Sequence, residues 1–143
     1  MENKKLHILV SACLLKDNCK YNGENNYNKQ VYDFVKEHDY VKICPELMAE
    51  LPVPRPKMEM KDGKLIRIDG KDLSDNMEIA ISKLEKLIEN EHFDLAILKS
   101  KSPSCGYKNI YDGTFSKKIV EGNGFACECL LRHNIKILTE LDF

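Results

Sequence analysis

Short apolar runs alternate with amphipathic stretches along this chain. Four of the runs have the length and composition of buried strands and cover residues 6–10, 40–44, 95–98 and 135–138. Apolar residues at helical spacing predict helices over about residues 30–37, 72–90 and 124–133. Strands that alternate with helices in this way are typical of a three-layer, Rossmann-like α/β fold with a mainly parallel sheet.

The middle of the chain adds two features to this alternation. Asp62-Gly63 stands between two short apolar runs, so residues 58–68 are predicted to form an inserted hairpin. Residues 110–116 are rich in turn-forming residues and are predicted to form an ordered loop. Neither a linker nor an internal repeat is visible, so residues 1–143 are expected to form one α/β domain.

The composition is that of a soluble globular protein, with 43% hydrophobic and 31% charged residues. A formal net charge of −1 provides no global basic field, so neither polymeric nucleic acid nor a membrane surface is an expected partner. The apolar runs are far shorter than the roughly 20 residues that span a bilayer. Residues 1–5 lead directly into the first strand rather than into a leader segment, so the expected location is the cytoplasm.

Cysteine is the residue type that carries candidate chemistry here. Of the six cysteines, Cys13, Cys44 and Cys105 each stand where an apolar run has ended and a loop begins. The carboxyl ends of parallel strands lie at one edge of a sheet, where these three thiols are able to converge. Three thiolates repel one another unless a metal holds them, and zinc or an iron–sulfur cluster are the two candidates. A set of three leaves one metal position open for chemistry.

The same pattern is compatible with a structural role, because free cysteine is often buried as a small hydrophobic residue. The chain has no Cys-x-x-Cys pair that would favour metal binding more strongly. Cys19 either bends back as a fourth ligand or remains a free thiol, and the free thiol is favoured. Cys127 and Cys129 are two positions apart on a predicted helix, so Cys129 is expected in the core and Cys127 at least partly exposed.

Five motifs between residues 11 and 116 resemble, in the same order, those of a known family. This thiouracil desulfidase family was long known only as a domain of unknown function, and some of its members are iron–sulfur-dependent thiouracil desulfidases. The chain has the length of the family's short, single-domain form. The motifs are Ser11-Ala12-Cys13-Leu14-Leu15 with Cys19-Lys20-Tyr21-Asn22-Gly23, Cys44-Pro45-Glu46, Leu51-Pro52-Val53-Pro54-Arg55-Pro56, Ser102-Pro103-Ser104-Cys105-Gly106 and Ile110-Tyr111-Asp112-Gly113-Thr114-Phe115-Ser116.

The resemblance implies a [4Fe-4S] cluster held by Cys13, Cys44 and Cys105, with the fourth iron open to the sulfur of the substrate. It implies non-redox desulfuration of a thiolated pyrimidine or its nucleotide, such as thiouracil or 4-thio-UMP, with release of hydrosulfide. In this hydrolytic scheme the iron acts as a Lewis acid, and water attacks the ring carbon that carries the sulfur.

Two side chains beside the cysteines are candidate catalytic residues. Glu46 matches the family's acidic residue, and it serves either as a general base or as a carboxylate that caps backbone N–H groups. Ser102 matches the family's loop serine, with Ser104 as the second choice, although serine before proline is also common in turns. One departure from the family is Glu50, at a position where glycine is common.

Charged and polar residues of the other motifs form a candidate substrate site. A phosphate contact there would suit a thiolated nucleotide better than a bare base. The other interpretation is ordinary solvated surface charge. The candidates are Arg55, Lys99, Lys101, Ser104, Asp112, Gly113 and Thr114, with the rest of the loop to Ser116.

Two other classes of function remain open. The first is a non-enzymatic iron–sulfur or metal-binding protein that stores, senses or delivers sulfur or metal. The second is a redox-active thiol protein that uses Cys13 with Cys19. The oligomeric state is left open by the sequence.

Overall fold

A computed structural model describes residues 5–143 of the chain. Residues 1–4, from which the absence of a leader is predicted, lie outside the described residues. The strands are β1 (His7–Ser11), β2 (Asp39–Ile43), β3 (Met58–Lys61), β4 (Lys64–Arg67), β5 (Leu95–Leu98), β6 (Asn109–Tyr111), β7 (Ile119–Glu121) and β8 (Lys136–Thr139). The α-helices are α1 (Lys29–Val35), α2 (Pro45–Met48), α3 (Ser74–Asn90) and α4 (Phe125–Arg132), and two 3₁₀ helices cover Ala12–Leu15 and Glu140–Asp142.

The central sheet has four parallel strands in the order β2-β1-β5-β8. The chain starts in the interior of the sheet, moves to one edge at β2 and then crosses to the other side at β5. The direction of winding therefore changes between β1 and β5. In open α/β sheets such a point, at the carboxyl ends of the strands, is where ligands bind.

Helices cover both faces of this sheet, so the predicted three-layer, mainly parallel fold is confirmed. Successive strand residues point to opposite faces. Ile8 and Val10 of β1 pack with Val31 of α1 on one face. Leu9 packs with the cluster that contains α3 and α4 on the other face, including Met77. None of the helices in residues 5–143 is both long and apolar enough to cross a membrane.

The inserted hairpin is present as β3 and β4, and its turn is well explained by the sequence. Asp62 and Gly63 have φ angles of 51° and 77°, as a two-residue hairpin turn of this type requires. Glu50 has a φ of 65°, a left-handed conformation that glycine adopts more easily than glutamate does. The positive φ gives a physical reason for glycine to be common at this position in the family.

Two expectations differ from the structure. Residues 110–116 are not simply a loop, because β6 pairs with β7 in a second antiparallel hairpin. Cys127 is fully buried, as is Cys129, so the expected exposure of Cys127 is wrong. On α4, the buried positions from Ala126 to Leu130 span an arc of about 160° at 100° per residue, and the two cysteines occupy its opposite edges. The rest of the protein covers α4 over this whole arc, so the side chains of Cys127 and Cys129 are both buried.

Candidate active site

A cavity of about 470 Å³ lies at the carboxyl ends of β1, β2 and β5. Its wall includes the thiols of Cys13, Cys44 and Cys105, which come from three separate loops, and that of Cys19. The structure therefore brings the three cysteines that the sequence singles out to one cavity. It also bends Cys19 back to the same place.

The loop after β1 fixes the orientation of Cys13. After Ser11 the chain turns through the 3₁₀ helix Ala12–Leu15 and reverses at Lys16, whose φ is 79°. Asn26 holds Cys13 through two hydrogen bonds. Its backbone N–H donates to the Cys13 carbonyl at 2.9 Å, and its side-chain amide donates to Cys13 Sγ at 3.4 Å.

Cys19 is buried between two of the other cysteines. Its thiol lies near enough to the thiols of Cys13 and Cys44 to change the acidity of both. Its carbonyl oxygen accepts a hydrogen bond from Arg55 Nη2 at 2.8 Å, and the Cys44 thiol lies 3.9 Å from the same oxygen. A buried guanidinium thus holds a polar loop in place, which the sequence alone does not reveal.

These contacts separate the acidities of the thiols. The hydrogen bond from Cys19 lowers the pKa of Cys13 to about 7, against the opposing effect of burial. The same donor lowers the pKa of Cys44. Cys19 keeps its proton, because its hydrogen bonds to Cys13 and Cys44 raise its own pKa. Burial raises the pKa of Cys105, which faces the thiols of Cys13 and Cys44 without a hydrogen bond to either.

A tight turn presents Cys105 to the cavity. The Ser102 hydroxyl oxygen accepts hydrogen bonds from the backbone N–H groups of Ser104 and Cys105, both at 3.1 Å. A Cβ at Gly106 would lie 2.6 Å from the Ser102 carbonyl oxygen, so only glycine fits there. The start of α4 packs on this turn, where Ala126 N–H donates to the Ser104 carbonyl at 2.7 Å. Ser102 therefore shapes the turn as well as lining the cavity.

Glu46 projects from the first turn of α2 towards the same cavity. One carboxylate oxygen lies 3.3 Å from Arg55 Nη2, and the Ser104 hydroxyl is a second hydrogen-bond partner. Burial raises the pKa of this carboxyl, and the Arg55 charge opposes the rise. The partners of Glu46 are side chains rather than the backbone N–H groups of a helix end, so its carboxylate is held at the cavity wall.

Arg55 is a predicted substrate ligand, but the structure places it behind the site. Its side chain is only 3% exposed, and it does not line the cavity that holds the thiols. Its guanidinium binds the carbonyl oxygens of Cys19 and Pro52 as well as Glu46. It therefore connects the Cys19 loop to the carboxylate.

Lysines supply the positive charge that faces the cavity. Lys99 Nζ lies 3.1 Å from a carboxylate oxygen of Glu140, which fixes its position. Lys101, a predicted substrate ligand, lines the cavity and forms no ion pair with any residue in the described part of the chain. The lysines in the cavity wall are Lys20, Lys57, Lys99, Lys101 and Lys117.

The loop after β6 contributes differently from the prediction. Asp112, Gly113 and Thr114 lie outside the cavity wall, and Asp112 accepts hydrogen bonds from the Thr114 N–H and hydroxyl. Glu59 of β3, which the sequence does not single out, accepts the N–H groups of Gly113 and Phe115 at 3.0 and 3.1 Å. This carboxylate ties the loop to the inserted hairpin. Glu59 itself lines the cavity, as do the nearby Tyr111, Phe115 and Lys117.

Replacing Glu140 with glutamine is expected to lower the free energy of unfolding by about 1.5–3 kcal/mol at pH 7, the range for hydrogen bonds to a charged group. The Glu140 carboxylate accepts the Ser100 N–H and hydroxyl, both at 2.7 Å, and pairs with Lys99. Burial alone would raise its pKa, but the Ser100 hydrogen bonds and the Lys99 charge outweigh burial and lower it.

Because the folded-state pKa of Glu140 lies below its unfolded value, its stabilisation is present above about pH 4.3 and is lost as the pH falls through the folded-state pKa. Urea unfolding of the parent and of Glu140→Gln at several pH values measures this, with the exposed Glu121→Gln as the control. If the difference in unfolding free energy between the parent and Glu140→Gln were as large in acid as at pH 7, the ionised Glu140 carboxylate would not be the source of the stabilisation.

Comparison with known proteins agrees with this architecture. The family model for 2-thiouracil desulfurase matches residues 8–142. The chain is 31% identical to the Bacillus subtilis (strain 168) protein YbbK over 143 aligned positions, which cover 93% of this chain and 95% of that protein. A solved structure of TudS, a [4Fe-4S]-dependent thiouracil desulfidase, matches with a TM-score of 0.89 at 30% identity, over 97% of this chain and 93% of that one. The resemblance found in the motifs is thereby confirmed, and the chain belongs to the 2-thiouracil desulfurase family.

Proposed function

We propose that this chain is a desulfidase that hydrolyses the carbon–sulfur bond of a thiolated pyrimidine, or of its nucleotide, with the help of a [4Fe-4S] cluster. The observation that carries the proposal is the convergence of Cys13, Cys44 and Cys105 on one cavity beside Glu46. Membership of the family and the likeness to TudS support it. In the net reaction, water replaces sulfur on the ring carbon and hydrosulfide leaves.

The donor set suits a cluster better than a single ion. Within residues 5–143, no three His, Cys, Asp or Glu side chains are grouped to hold one metal ion. The ligand sulfurs of one cubane lie on the order of 6–7 Å apart, farther than the ligands of one ion do. Cys13, Cys44 and Cys105 are assigned as ligands, and the cluster would supply a Lewis-acidic iron that is open to the substrate sulfur.

Cys19 is assigned as a hydrogen-bond donor rather than as a ligand. Its pKa is raised beside Cys13 and Cys44, so its thiol stays protonated, whereas a cluster ligand is a thiolate. As the protonated member of the group, it has one S–H, which it donates to one of the two neighbouring sulfurs at a time. Hydrogen bonds to cluster sulfurs are one of the factors that set the properties of such centres.

Glu46 is assigned as the general base. Its carboxylate is held by Arg55 at 3.3 Å, and it takes a proton from the attacking water. A pKa raised by burial makes the carboxylate a better proton acceptor near neutral pH. The hydroxyls of Ser102 and Ser104, 3.1 Å apart at the cavity wall, are in a position to orient this water or a polar ring atom of the substrate.

The remaining wall of the cavity suits an anionic pyrimidine. The rings of Tyr21, Tyr111 and Phe115 provide flat apolar surface for a base. Lysines at the wall provide donors for a phosphate, and one of them, Lys101, forms no ion pair with residues 5–143. A volume of about 470 Å³ lies within the usual range for small-molecule sites. We therefore assign a thiolated nucleotide such as 4-thio-UMP as the preferred substrate.

Anaerobic reconstitution with iron and sulfide, followed by incubation with thiouracil and with 4-thio-UMP, tests the proposal. The thiocarbonyl absorbance is expected to disappear with the release of one hydrosulfide per molecule of substrate. A chain that holds its cluster but leaves both chromophores intact would instead support the non-enzymatic iron–sulfur protein. A chain that holds no cluster and forms a Cys13–Cys19 disulfide would support the thiol redox protein.

Replacing Lys101 with glutamine is expected to raise KM for 4-thio-UMP by about tenfold, the effect of losing one charge-assisted hydrogen bond to phosphate. KM for thiouracil, which has no phosphate, is expected to stay the same. Lys108→Gln is the matched control, because Lys108 has the same left-handed backbone, with φ angles of 68° and 64° at the two lysines, but lies outside the cavity wall. Equal effects of Lys101→Gln on both substrates would contradict a phosphate contact.

A further inference from the structure

A second, smaller cavity lies behind the one that holds the thiols. It has a volume of about 230 Å³ and is bordered by the segment after α2, the β3–β4 hairpin and the start of α3. Met58 contributes to the walls of both cavities, so they are neighbours. The polar residues in the wall of the second cavity are Glu50, Arg55, Arg67, Lys71 and Asn76.

Arg55 presents an unsatisfied donor at this place. Its Nη1 donates to the Pro52 carbonyl, and its Nη2 contacts the Cys19 carbonyl and Glu46. Its Nε is buried and has no hydrogen-bond partner among the described residues. Buried donors in folded proteins are nearly always paired, with protein, water or an ion. Arg55 borders the second cavity and not the first, so an acceptor approaches Nε from the second cavity, once the atoms that cover Nε move aside.

The charges around this cavity favour an anion over a neutral acceptor. The turn after β4 brings Arg67 and Lys71 together, with a hydrogen bond of 2.8 Å from Arg67 N–H to the Lys71 carbonyl. Asp69 neutralises the Arg67 guanidinium, whereas Lys71 forms no ion pair within residues 5–143. The one carboxylate in the wall, Glu50, lies 3.6 Å from Lys83.

We infer that this second cavity binds a small oxyanion, one oxygen of which accepts the Arg55 Nε–H while Lys71 balances the charge. The ligand class is phosphate, sulfate or the carboxylate of a small metabolite. The volume is that of several water molecules, at about 30 Å³ each in the liquid, and so has room for such a group. This inference does not depend on the proposed desulfidase activity.

The Nε–H resonances of arginine in ¹⁵N-labelled full-length chain provide a direct test. The chain has three arginines, so Arg67→Lys and Arg132→Lys identify the resonance of Arg55. Inorganic phosphate, titrated against chloride at constant pH and ionic strength, is expected to shift the Arg55 resonance in a saturable manner. Sulfate and acetate, titrated in the same way, show whether the site selects phosphate or accepts oxyanions in general.

Variants locate the anion. Lys71→Gln is expected to raise the phosphate concentration at half-saturation by at least about fivefold, through the loss of one charge-assisted contact. Lys64 is exposed on the same hairpin and does not line the second cavity, so Lys64→Gln is expected to leave the half-saturating phosphate concentration unchanged. An Arg55 resonance that does not respond to phosphate means that water alone satisfies Nε and overturns the inference. A response that disappears in Lys101→Gln but persists in Lys71→Gln places the anion in the first cavity and also overturns it.

Discussion

The variant Cys105→Ser is expected to fold but to retain little of a reconstituted cluster, and to lose desulfidase activity by more than about a hundredfold. Changing groups that only support metal ligands already costs 10–100-fold, so the loss of a ligand is expected to cost more. Cys105 is the one cysteine of the cavity wall that comes from the turn after β5, so its loss removes the only thiol on that side of the site among the described residues. Iron and sulfide per chain, measured after anaerobic reconstitution, and turnover of 4-thio-UMP provide the two readouts.

Two other cysteine variants serve as controls for this experiment. Cys129→Ala removes a buried thiol of α4 that lies outside the cavity, so the iron content is expected to match that of the parent. Cys19→Ser is expected to keep the iron as well, because Cys19 is assigned as a donor. Thermal unfolding of the cluster-free chains establishes that Cys105→Ser is folded. If Cys19→Ser lost iron as Cys105→Ser does, or if Cys105→Ser kept it, the ligand assignment would be wrong.

Replacing Glu46 with glutamine is expected to slow turnover by about 10²–10⁴-fold while the cluster is retained, the usual range for the loss of a general base. The amide keeps an oxygen to face Arg55, so the loop structure is expected to survive. The base works in its ionised form, so the rate of the parent is expected to rise with pH as this carboxyl loses its proton. Because burial raises its pKa, the rise is shifted towards neutral pH, and Glu46→Gln is expected to lack it.

The matched control for Glu46 is Glu50→Gln, an exposed carboxylate four residues away that does not line the cavity of the thiols. This variant is expected to turn over substrate at the parent rate, with the parent's pH profile. Rates measured at saturating substrate separate a slower reaction from weaker binding. Near-parent turnover by Glu46→Gln, with an unchanged pH profile, would rule out a proton-transfer role for Glu46.

The parallel sheet and the meeting of three cysteines could be predicted because both depend on local patterns. Each strand of the central sheet overlaps a short run that the sequence predicts to be a strand, and a cysteine that follows such a strand lies near the carboxyl edge of a parallel sheet. Pairing of β1 with β2 and with β5 brings the loops that carry Cys13, Cys44 and Cys105 to that edge. The sequence therefore predicts that these three residues share one edge of the sheet, but it does not predict the distances between their thiols.

Other parts of the site depend on contacts between distant segments, which leave little trace in the sequence. Cys19 reaches the cavity because Arg55, 36 residues later, binds its carbonyl oxygen. Glu59 organises the loop after β6 from a strand more than 50 residues earlier, and its only signal is an acidic residue between two apolar ones in a predicted hairpin. The β6–β7 hairpin escaped prediction because all three residues of β7 are exposed and show no alternation of apolar and polar positions.

The strand order also determines when the cavity can exist during synthesis of the chain. Cys13 and Cys44 cannot become neighbours before β1 and β2, which pair in the folded chain, have both emerged from the ribosome. The turn that carries Cys105 is complete only when Ala126 is available to bind it, about 80 residues after Cys44. At roughly 5–20 residues per second, translation needs about 4–16 s to extend the chain from Cys44 to Ala126. Delivery of the proposed cluster to all three thiols would therefore follow the translation of most of the polypeptide.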